Sequence, residues 1–443
     1  MRKRMLFFCL VSFFLSCVTA NALDRQSNAD YHARREALAK KAGGVVVLVA
    51  PLEGPDAVYA FRQDDNFYYL SGITVPGAAL LIANATEAQG DNSARSYREI
   101  LFLPPRNLRL EKFTGPQLGA DSPDATRVTG FDHVEEMSKL PEEVGKLLTG
   151  GRPIVYTDVS SQGEPTANVQ ALDFLRRTNT AVFFQDVKPM LSSLRTVKDA
   201  GEIALIRKAV DASVAAHFAA MKAVKTNVAE YEISGLMQYE WTRRGCERPS
   251  YAPIVGSGHN STVLHYSEDT NTMKAGDVVV IDAAAEYSMY AADITRTLPI
   301  NGHFTPRQKE IYEIVRGAQE AAMAAFQSGK SVLFGDTDAS LNKVAREYIK
   351  THGKDLHGQP LDQYFIHGLG HYIGLNVHDP GDYKVALGPG MAFTIEPGIY
   401  IPEENIGFRI EDDFLVDQDG KLIKLSAALP SKAEEVEKAM AGK

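Results

Sequence analysis

Two eight-residue stretches decide the fold of the second half of the chain: Ala-Gly-Asp-Val-Val-Val-Ile-Asp at residues 275–282 and Pro-Gly-Met-Ala-Phe-Thr-Ile-Glu at residues 389–396. In each, a glycine turn leads into an apolar strand, and a carboxylate follows the glycine by six residues. A second acid comes after each carboxylate, in what we expect to be a later strand: Asp293 after Asp282, and Glu411 after Glu396. The echo predicts two α+β halves that face each other. A chance match is the alternative, since a glycine turn before a strand is common.

The residues around each acid predict where its carboxylate lies. Asp282 ends a run of β-branched residues, where a buried carboxylate is costly unless it is paired or bound to metal. Alternation along a strand places Asp293 on the same face as Thr295 and Thr297, and Glu411 on the same face as Arg409. For any single acid, a solvent-facing strand end remains the simpler interpretation. An arginine beside a buried acid would orient it.

Three histidines, His367, His371 and His378, fall within twelve residues among several glycines. The glycines oppose a helix, and no glutamate lies between the histidines as in the two-histidine helix of a zincin. A polar turn is the alternative to a functional cluster.

Five groups together form an oxygen-rich set suited to two hard or borderline divalent ions: Asp282, Asp293, His371, Glu396 and Glu411. Manganese is the first expectation for the metal, with cobalt or zinc possible. Four carboxylates on two dications leave a neutral cluster able to hold a hydroxide that attacks a carbonyl.

At this point the residues resemble a known family. Residues 282–297, 367–379, 394–398 and 409–413 are similar to the motifs of the pita-bread (M24-type) metallopeptidases, which include aminopeptidase P, prolidase and methionine aminopeptidase. The resemblance covers about residues 190–425 and includes all five ligand positions. One departure is Ala284, where the family often has glycine.

The resemblance implies a role for each site residue. Asp282 would bind one metal, His371 and Glu396 the other, and Asp293 and Glu411 would bridge the two, with Glu396 also the general base. The remaining implied roles belong to the substrate side: His378 for the scissile carbonyl and the oxyanion, His265 beside the substrate amine and leaving group, His367 in the proline pocket, and Arg409 behind a bridging carboxylate.

The first half of the chain predicts a separate α/β domain. Short β-rich runs occur at residues 45–49, 67–70, 79–82, 100–103, 154–156 and 182–184, with helix-like stretches around Arg34, Glu135 and Asn168. Residues 61–72 resemble the creatinase-type domain that precedes the catalytic half in aminopeptidase P and prolidase. In relatives this domain makes oligomer contacts, so the resemblance implies a homodimer or homotetramer. We expect domains at residues 23–188 and 189–443.

Helix signals support an α+β second domain. Thr196, with Asp199 three residues later, predicts the start of a long helix whose apolar stripe runs from Ile203 to Met221, and a second helix is expected from Glu230 to Arg244. Thr305 before a proline, with Gln308 three residues after it, predicts a further helix start.

Residues 1–22 read as a signal peptide, with Arg2-Lys3-Arg4, a short apolar run and small residues that predict cleavage after Ala20 or Ala22. A membrane anchor is the alternative, and Cys17 is a weak lipidation candidate. We therefore expect a secreted or periplasmic protein without stable membrane insertion. Cys246 would be its single cysteine, which excludes an intramolecular disulfide. The remaining 44 basic and 56 acidic residues give a net charge of about −12, which argues against nucleic acid as a partner.

The leading functional interpretation is an Xaa-Pro aminopeptidase, which removes the N-terminal residue of proline-containing peptides. A prolidase restricted to Xaa-Pro dipeptides is the alternative, and no motif separates the two. A third interpretation is a metal-free relative, either a creatinase-like hydrolase or a peptide-binding module, although no metal ligand is replaced.

Overall fold

The computed structural model describes residues 23–53, 60–84, 97–148, 153–159, 167–178 and 182–442. The predicted signal peptide, its cleavage positions and Cys17 lie outside these residues. Within them, no helix combines the length and the apolar character that a membrane span requires.

The N-terminal part is an α/β domain on a mixed six-stranded sheet, in the strand order β4-β3-β2-β1-β5-β6. Its elements are α1 (Asn28–Lys41), β1 (Val45–Val49), α2 (Asp65–Ser71), β2 (Ala79–Asn84), β3 (Tyr97–Leu103), α3 (Glu111–Thr114), α4 (Ala125–Thr129), β4 (His133–Glu136), α5 (Leu140–Leu147), β5 (Ile154–Thr157), α6 (Ala167–Ala171), α7 (Asp173–Thr178), β6 (Phe183–Asp186) and α8 (Lys188–Arg195). The central strands β1, β2 and β3 are buried almost throughout, which explains their continuous apolar runs.

Two sequence predictions in this domain were wrong. The β-rich run at residues 67–70 is part of helix α2, because the side chain of Asp64 caps the amide of Phe67 and Gly72 ends the helix in the left-handed conformation. The stretch around Glu135 is strand β4, and the helix follows it as α5. The predicted helices around Arg34 and Asn168 are confirmed as α1 and α6.

The C-terminal part is an α+β domain. Its elements are α9 (Ala200–Ala223), α10 (Glu230–Thr242), β7 (Arg248–Pro249), β8 (Ile254–Ser257), β9 (Val278–Asp282), β10 (Ala285–Tyr287), β11 (Tyr290–Ala291), β12 (Thr295–Pro299), α11 (Pro306–Ala325), α12 (Leu341–His352), β13 (Ala392–Ile395), β14 (Gly398–Ile401), β15 (Ile406–Arg409), β16 (Asp412–Val416), β17 (Leu422–Lys424) and α13 (Ala433–Met440). The expected fold class, an α/β domain followed by an α+β domain, is therefore observed.

Each echoed stretch forms a strand of a three-stranded antiparallel sheet: β9 is the central strand of β12-β9-β8, and β13 is an edge strand of β13-β16-β17. In the first, Asp282 ends β9 and pairs with Thr295 of β12; in the second, Ile395 ends β13 and pairs with Asp412 of β16. A bridge between Thr295 and Glu411 joins the two halves. Asp293 and Glu411 lie just outside the strands in which we expected them, and each precedes its strand by one or two residues.

Of the two helix caps predicted from the sequence, one is observed and the other is not. Thr305 caps α11 in a capping box with Gln308, as predicted. Thr196 does not cap α9, because it is the residue that ends α8; the cap is Asp199, in a capping box with Glu202. The domain boundary that we expect at residue 188 stays a prediction; residue 188 is the first residue of α8, which packs against α1 of the N-terminal part.

Candidate active site

One cavity of about 630 Å³ opens in the C-terminal domain. All nine site residues predicted from the sequence line it: Asp282, Asp293, His371, Glu396, Glu411, His265, His367, His378 and Arg409. Asp282 and Arg409 lie in β9 and β15, the other three acids lie next to the ends of β12, β13 and β16, and the four histidines lie in loops, so both halves of the domain contribute. The fold brings together side chains that are up to 146 residues apart in the chain.

The imidazole of His371 lies at the centre of a group of carboxylates. Its Nε2 atom is 3.3 Å from Asp293 Oδ2, 3.3 Å from Glu396 Oε1 and 4.0 Å from Glu411 Oε1. The other ring nitrogen, Nδ1, is 3.1 Å from the carbonyl oxygen of Tyr372, so it donates there and directs Nε2 at the acids. A second hydrogen bond of this kind is typical of histidines that bind metal.

Two buried oxygens in this cluster have no hydrogen-bond donor: Asp293 Oδ1 and Glu411 Oε1. Burial and the charge of Asp282 raise the pKa of Asp293, and burial together with Asp293 raises that of Glu411 well above its usual range. Burial by itself lowers the pKa of His371, but the adjacent Asp293 and Glu396 outweigh it and raise the pKa to about 9. Crowded acids and unpartnered oxygens of this kind are what bound cations satisfy, so the residues fit divalent metal.

Asp282 lies apart from His371 and is held by two other groups. Arg409 Nη2 donates to its Oδ2 at 2.5 Å, and the hydroxyl of Tyr251 donates to its Oδ1 at 2.6 Å. The resemblance placed Arg409 behind a bridging carboxylate; the structure places it directly on Asp282, because β15 packs against β9. Arg409 reaches Glu411 only through the hydroxyl of Thr295, which accepts from Arg409 Nε at 3.2 Å and donates to Glu411 Oε2 at 2.6 Å.

Glu396 and Asp293 are also fixed by neighbours. Thr394 Oγ1 donates to Glu396 Oε1 at 3.1 Å and accepts from the amide of His371 at 3.0 Å. The amide of Asp293 donates to Asp413 Oδ2 at 3.0 Å. Burial, with the charge of Asp293 nearby, raises the pKa of Glu396 to about 7.

The three remaining histidines surround the cluster. The ring of His378 lies 4.1 Å from that of His371, and His265 lines the same cavity from the loop before β9. His367 donates from Nδ1 to the carbonyl of Gly368 and accepts at Nε2 from the hydroxyl of Tyr400. Burial, with Arg409 nearby, lowers the pKa of His367 to about 4. Burial, with His371 nearby, does the same for His378.

Sequence reasoning missed several residues that hold this site: Tyr251, Thr394, Tyr400 and Asp413. Thr394 and Asp413 could have been found, because each lies two residues from a predicted ligand, the spacing that brings side chains to one side of an extended chain. Tyr251 is 31 residues from Asp282, and no local pattern connects the two.

Comparisons with known proteins agree with this geometry. The profile of Metallopeptidase family M24 matches residues 204–418, and that of the Aminopeptidase P N-terminal domain matches residues 31–156. The chain is 35% identical to the Xaa-Pro aminopeptidase of Haemophilus influenzae over 87% of this chain and 90% of that protein. It is 34% identical to the Xaa-Pro aminopeptidase of Escherichia coli over 94% of this chain and 98% of that protein.

Among solved structures, zinc-substituted Escherichia coli aminopeptidase P in complex with product superposes with a TM-score of 0.81 at 32% identity, over 95% of this chain and 99% of that one. Together with the two curated relatives, this similarity spans both domains. The chain therefore belongs to metallopeptidase family M24 and carries the two-domain, pita-bread architecture of aminopeptidase P.

Proposed function

We propose that the protein is an Xaa-Pro aminopeptidase that depends on two divalent metal ions. The observation that carries the proposal is the convergence of five candidate metal-binding side chains and three further histidines on one cavity. The names of its relatives supply the substrate class, namely peptides with proline in the second position.

Asp282, Asp293, His371, Glu396 and Glu411 would hold the ions. When bound, the two ions lower the pKa of a water molecule and polarise the scissile carbonyl, which is the chemistry that peptide hydrolysis requires. The unpartnered buried oxygens of Asp293 and Glu411 support the proposal that these two acids would bind metal, since each oxygen accepts no hydrogen bond from the protein.

The remaining residues act on substrate and protons. Glu396 accepts the proton of the attacking water on a carboxylate oxygen, held by Thr394. His378 donates an N–H to the scissile carbonyl oxygen and to the oxyanion that forms from it. His265 lies on the side of the substrate amine and leaving group, and His367, fixed by Tyr400, lines the proline pocket.

The cavity favours this activity over a prolidase. Among its lining residues, Arg409 is the one with a permanent positive charge, and its donors are engaged by Asp282, Tyr400, Thr295 and the carbonyl of Leu264. A dipeptidase needs a cation that binds the substrate's C-terminal carboxylate. With Arg409 turned inward, the cavity suits peptides that continue beyond proline.

The experiment compares hydrolysis of an Xaa-Pro dipeptide with that of an Xaa-Pro-Xaa tripeptide by the full chain in manganese. We expect kcat/KM for the tripeptide to exceed that for the dipeptide by at least about tenfold, since no carboxylate clamp favours the shorter substrate. Glu396→Gln is the control and should hydrolyse neither. Preference for the dipeptide would replace the proposal by a prolidase, and no cleavage of either would overturn it.

Manganese is the proposed metal, with cobalt and zinc as the other candidates, because carboxylates outnumber the single imidazole in the ligand set. Metal analysis of the purified protein and reactivation of the chelated protein by each ion test this. A metal-free hydrolase or binding module would contain none of them and would not respond to their addition.

We also propose export and self-association. The N-terminal segment supports cleavage that leaves Asn21 or Leu23 at the new N-terminus, which sequencing of the exported protein tests. Exposed apolar side chains on the N-terminal domain, among them Leu108 and Phe113, support a homodimer or homotetramer. Light scattering coupled to gel filtration distinguishes these states from a monomer.

A further inference from the structure

We infer that the N-terminal domain positions His378 for catalysis through a contact between Asp65 and Asn376, a role that rests on the proposed function. His378 lies in a loop of the C-terminal domain; it lines the cavity, and its backbone N–H donates to the side chain of Asn376. Asp65 is the first residue of α2. The two residues that make the contact are 311 positions apart in the chain.

Asn376 connects the two domains with a single side chain. Its Oδ1 accepts from the amide of His378 at 3.1 Å, and its Nδ2 donates to Asp65 Oδ2 at 3.1 Å. The two partners fix the orientation of the amide, because a backbone N–H can only donate and a carboxylate can only accept. The position of His378 therefore depends directly on where Asp65 holds the Asn376 amide.

Asp65 is itself held in place. Arg62 donates from Nη1 to Asp65 Oδ1 at 2.8 Å, from Nη2 to the carbonyl of Leu375 at 2.7 Å, and from Nε to Glu286 Oε2 at 2.8 Å. Arg62 thus links Asp65 to the loop residue before Asn376 and to β10 of the catalytic domain. A planar guanidinium with three acceptors in fixed directions allows little relative movement.

The other end of the loop is fixed by a buried ion pair. Asp379 follows His378 and is 2% exposed. Its Oδ1 accepts from the amide of Asn376 at 3.1 Å and from Arg195 Nη2 at 2.5 Å, while Arg195 Nη1 donates to Asn66 Oδ1 at 2.7 Å. Asn66 is the neighbour of Asp65, so the segment of residues 62–66 holds the loop at both ends of His378.

Through this arrangement the N-terminal domain contributes to catalysis by positioning His378. The imidazole of His378 must meet a carbonyl oxygen within hydrogen-bond distance, and a misplacement of about 1 Å costs about 100-fold in rate. Asp65 and Asn376 are positioning residues, since they act through His378 and touch no reacting atom.

The test exploits the charges of the pair. Asn376→Asp sets two carboxylates against each other and should lower kcat by about 10- to 100-fold while KM stays within about threefold. Adding Asp65→Asn restores a donor and an acceptor and should return kcat to within about threefold of wild type. Asp64→Asn is the matched control: Asp64 caps α2, asparagine caps equally well, and kcat should stay within about twofold.

A second comparison separates positioning from a merely structural effect. In a His378→Ala background, Asn376→Asp should cost no more than about twofold further, because the residue that it displaces is gone. Equal losses in both backgrounds, a wild-type kcat for Asn376→Asp, or no rescue by Asp65→Asn would each overturn the inference. Should Asn376→Asp fail to fold by circular dichroism, Asn376→Ala removes the same link without adding charge and carries the test. Failure of the wild type to cleave Xaa-Pro-Xaa would instead refute the proposed function.

Discussion

Two buried threonines on one face of β12 make a sharp prediction about metal affinity. Thr295 and Thr297 are both fully buried, and both contact residues of the opposite half of the domain. Thr295 donates to the carboxylate of Glu411, whereas Thr297 exchanges hydrogen bonds of 3.1 Å with the backbone N–H and carbonyl of Arg409. Replacing each by valine keeps the shape and removes the hydroxyl.

The structure sets the size of each effect. Thr295→Val loses a hydrogen bond to a charged group, about 1.5–3 kcal/mol, and leaves Arg409 Nε without its acceptor, about 1–3 kcal/mol more. We expect the metal-free protein to unfold about 10 °C lower, since 1 kcal/mol shifts the melting temperature of a large domain by about 2–4 °C. Because Glu411 loses the group that orients it, affinity for manganese should fall about 10- to 100-fold.

The assay measures unfolding in chelator and manganese binding by calorimetry for both variants. Thr297→Val should also lower the melting temperature, because two backbone groups lose their partner, but manganese affinity should stay within about threefold of wild type. If both variants weaken manganese binding equally, or if neither does, Thr295 does not orient a metal ligand.

Three further predictions concern single residues. Asp293→Asn or Glu411→Gln should lower kcat/KM more than His265→Ala, because these two acids are proposed to contact both ions; near wild-type turnover of the two variants at low metal would contradict this. Glu396→Gln should lower kcat by about 10²- to 10⁴-fold with an unchanged circular dichroism spectrum, as expected for loss of a general base, and a loss below tenfold would assign that role elsewhere. Asp379→Asn should destabilise the fold by about 3–5 kcal/mol at neutral pH, because it breaks a buried ion pair. Burial alone would raise the pKa of Asp379, but two buried cations lower it, so its contribution is present above about pH 4 and is lost as the pH falls further. Denaturant unfolding of wild type and variant at several pH values measures this difference, and a difference that grows on acidification would refute the sign.

Much of the catalytic domain could be predicted because its signals are local. A glycine turn, four β-branched residues and a carboxylate follow one another along the chain, and the threonine, proline and glutamine that start α11 lie within four positions. The residues at 67–70 gave a false signal, because their aromatic side chains suit a strand, while the decisive features, the Asp64 cap and the left-handed Gly72, lie outside the run. Helix capping therefore outweighs the strand propensity of these side chains.

The candidate site was predictable as a set of residues but not as a geometry. The acids and histidines can be recognised by residue type. The groups that hold them in place lie elsewhere in the chain: Tyr251 contacts Asp282, and Tyr400 contacts His367 and Arg409. Aromatic hydroxyls of this kind are common in cores, and only the folded chain distinguishes one that holds a site residue. The contact between Asp65 and Asn376 could not be predicted for the same reason, because the two residues are far apart in the sequence.

The bridge between Thr295 and Glu411 also bears on how the molecule acquires activity. Asp282 and Asp293 belong to one half of the catalytic domain, and His371, Glu396 and Glu411 to the other, so neither fragment alone contains all five proposed metal ligands. Two separately expressed fragments, divided between α11 and α12, should each be inert and regain peptidase activity only when they reassociate. Manganese binding during refolding should appear only after the two halves of the catalytic domain have packed together, and not during early collapse. Contacts between residues this far apart in the chain form late in folding.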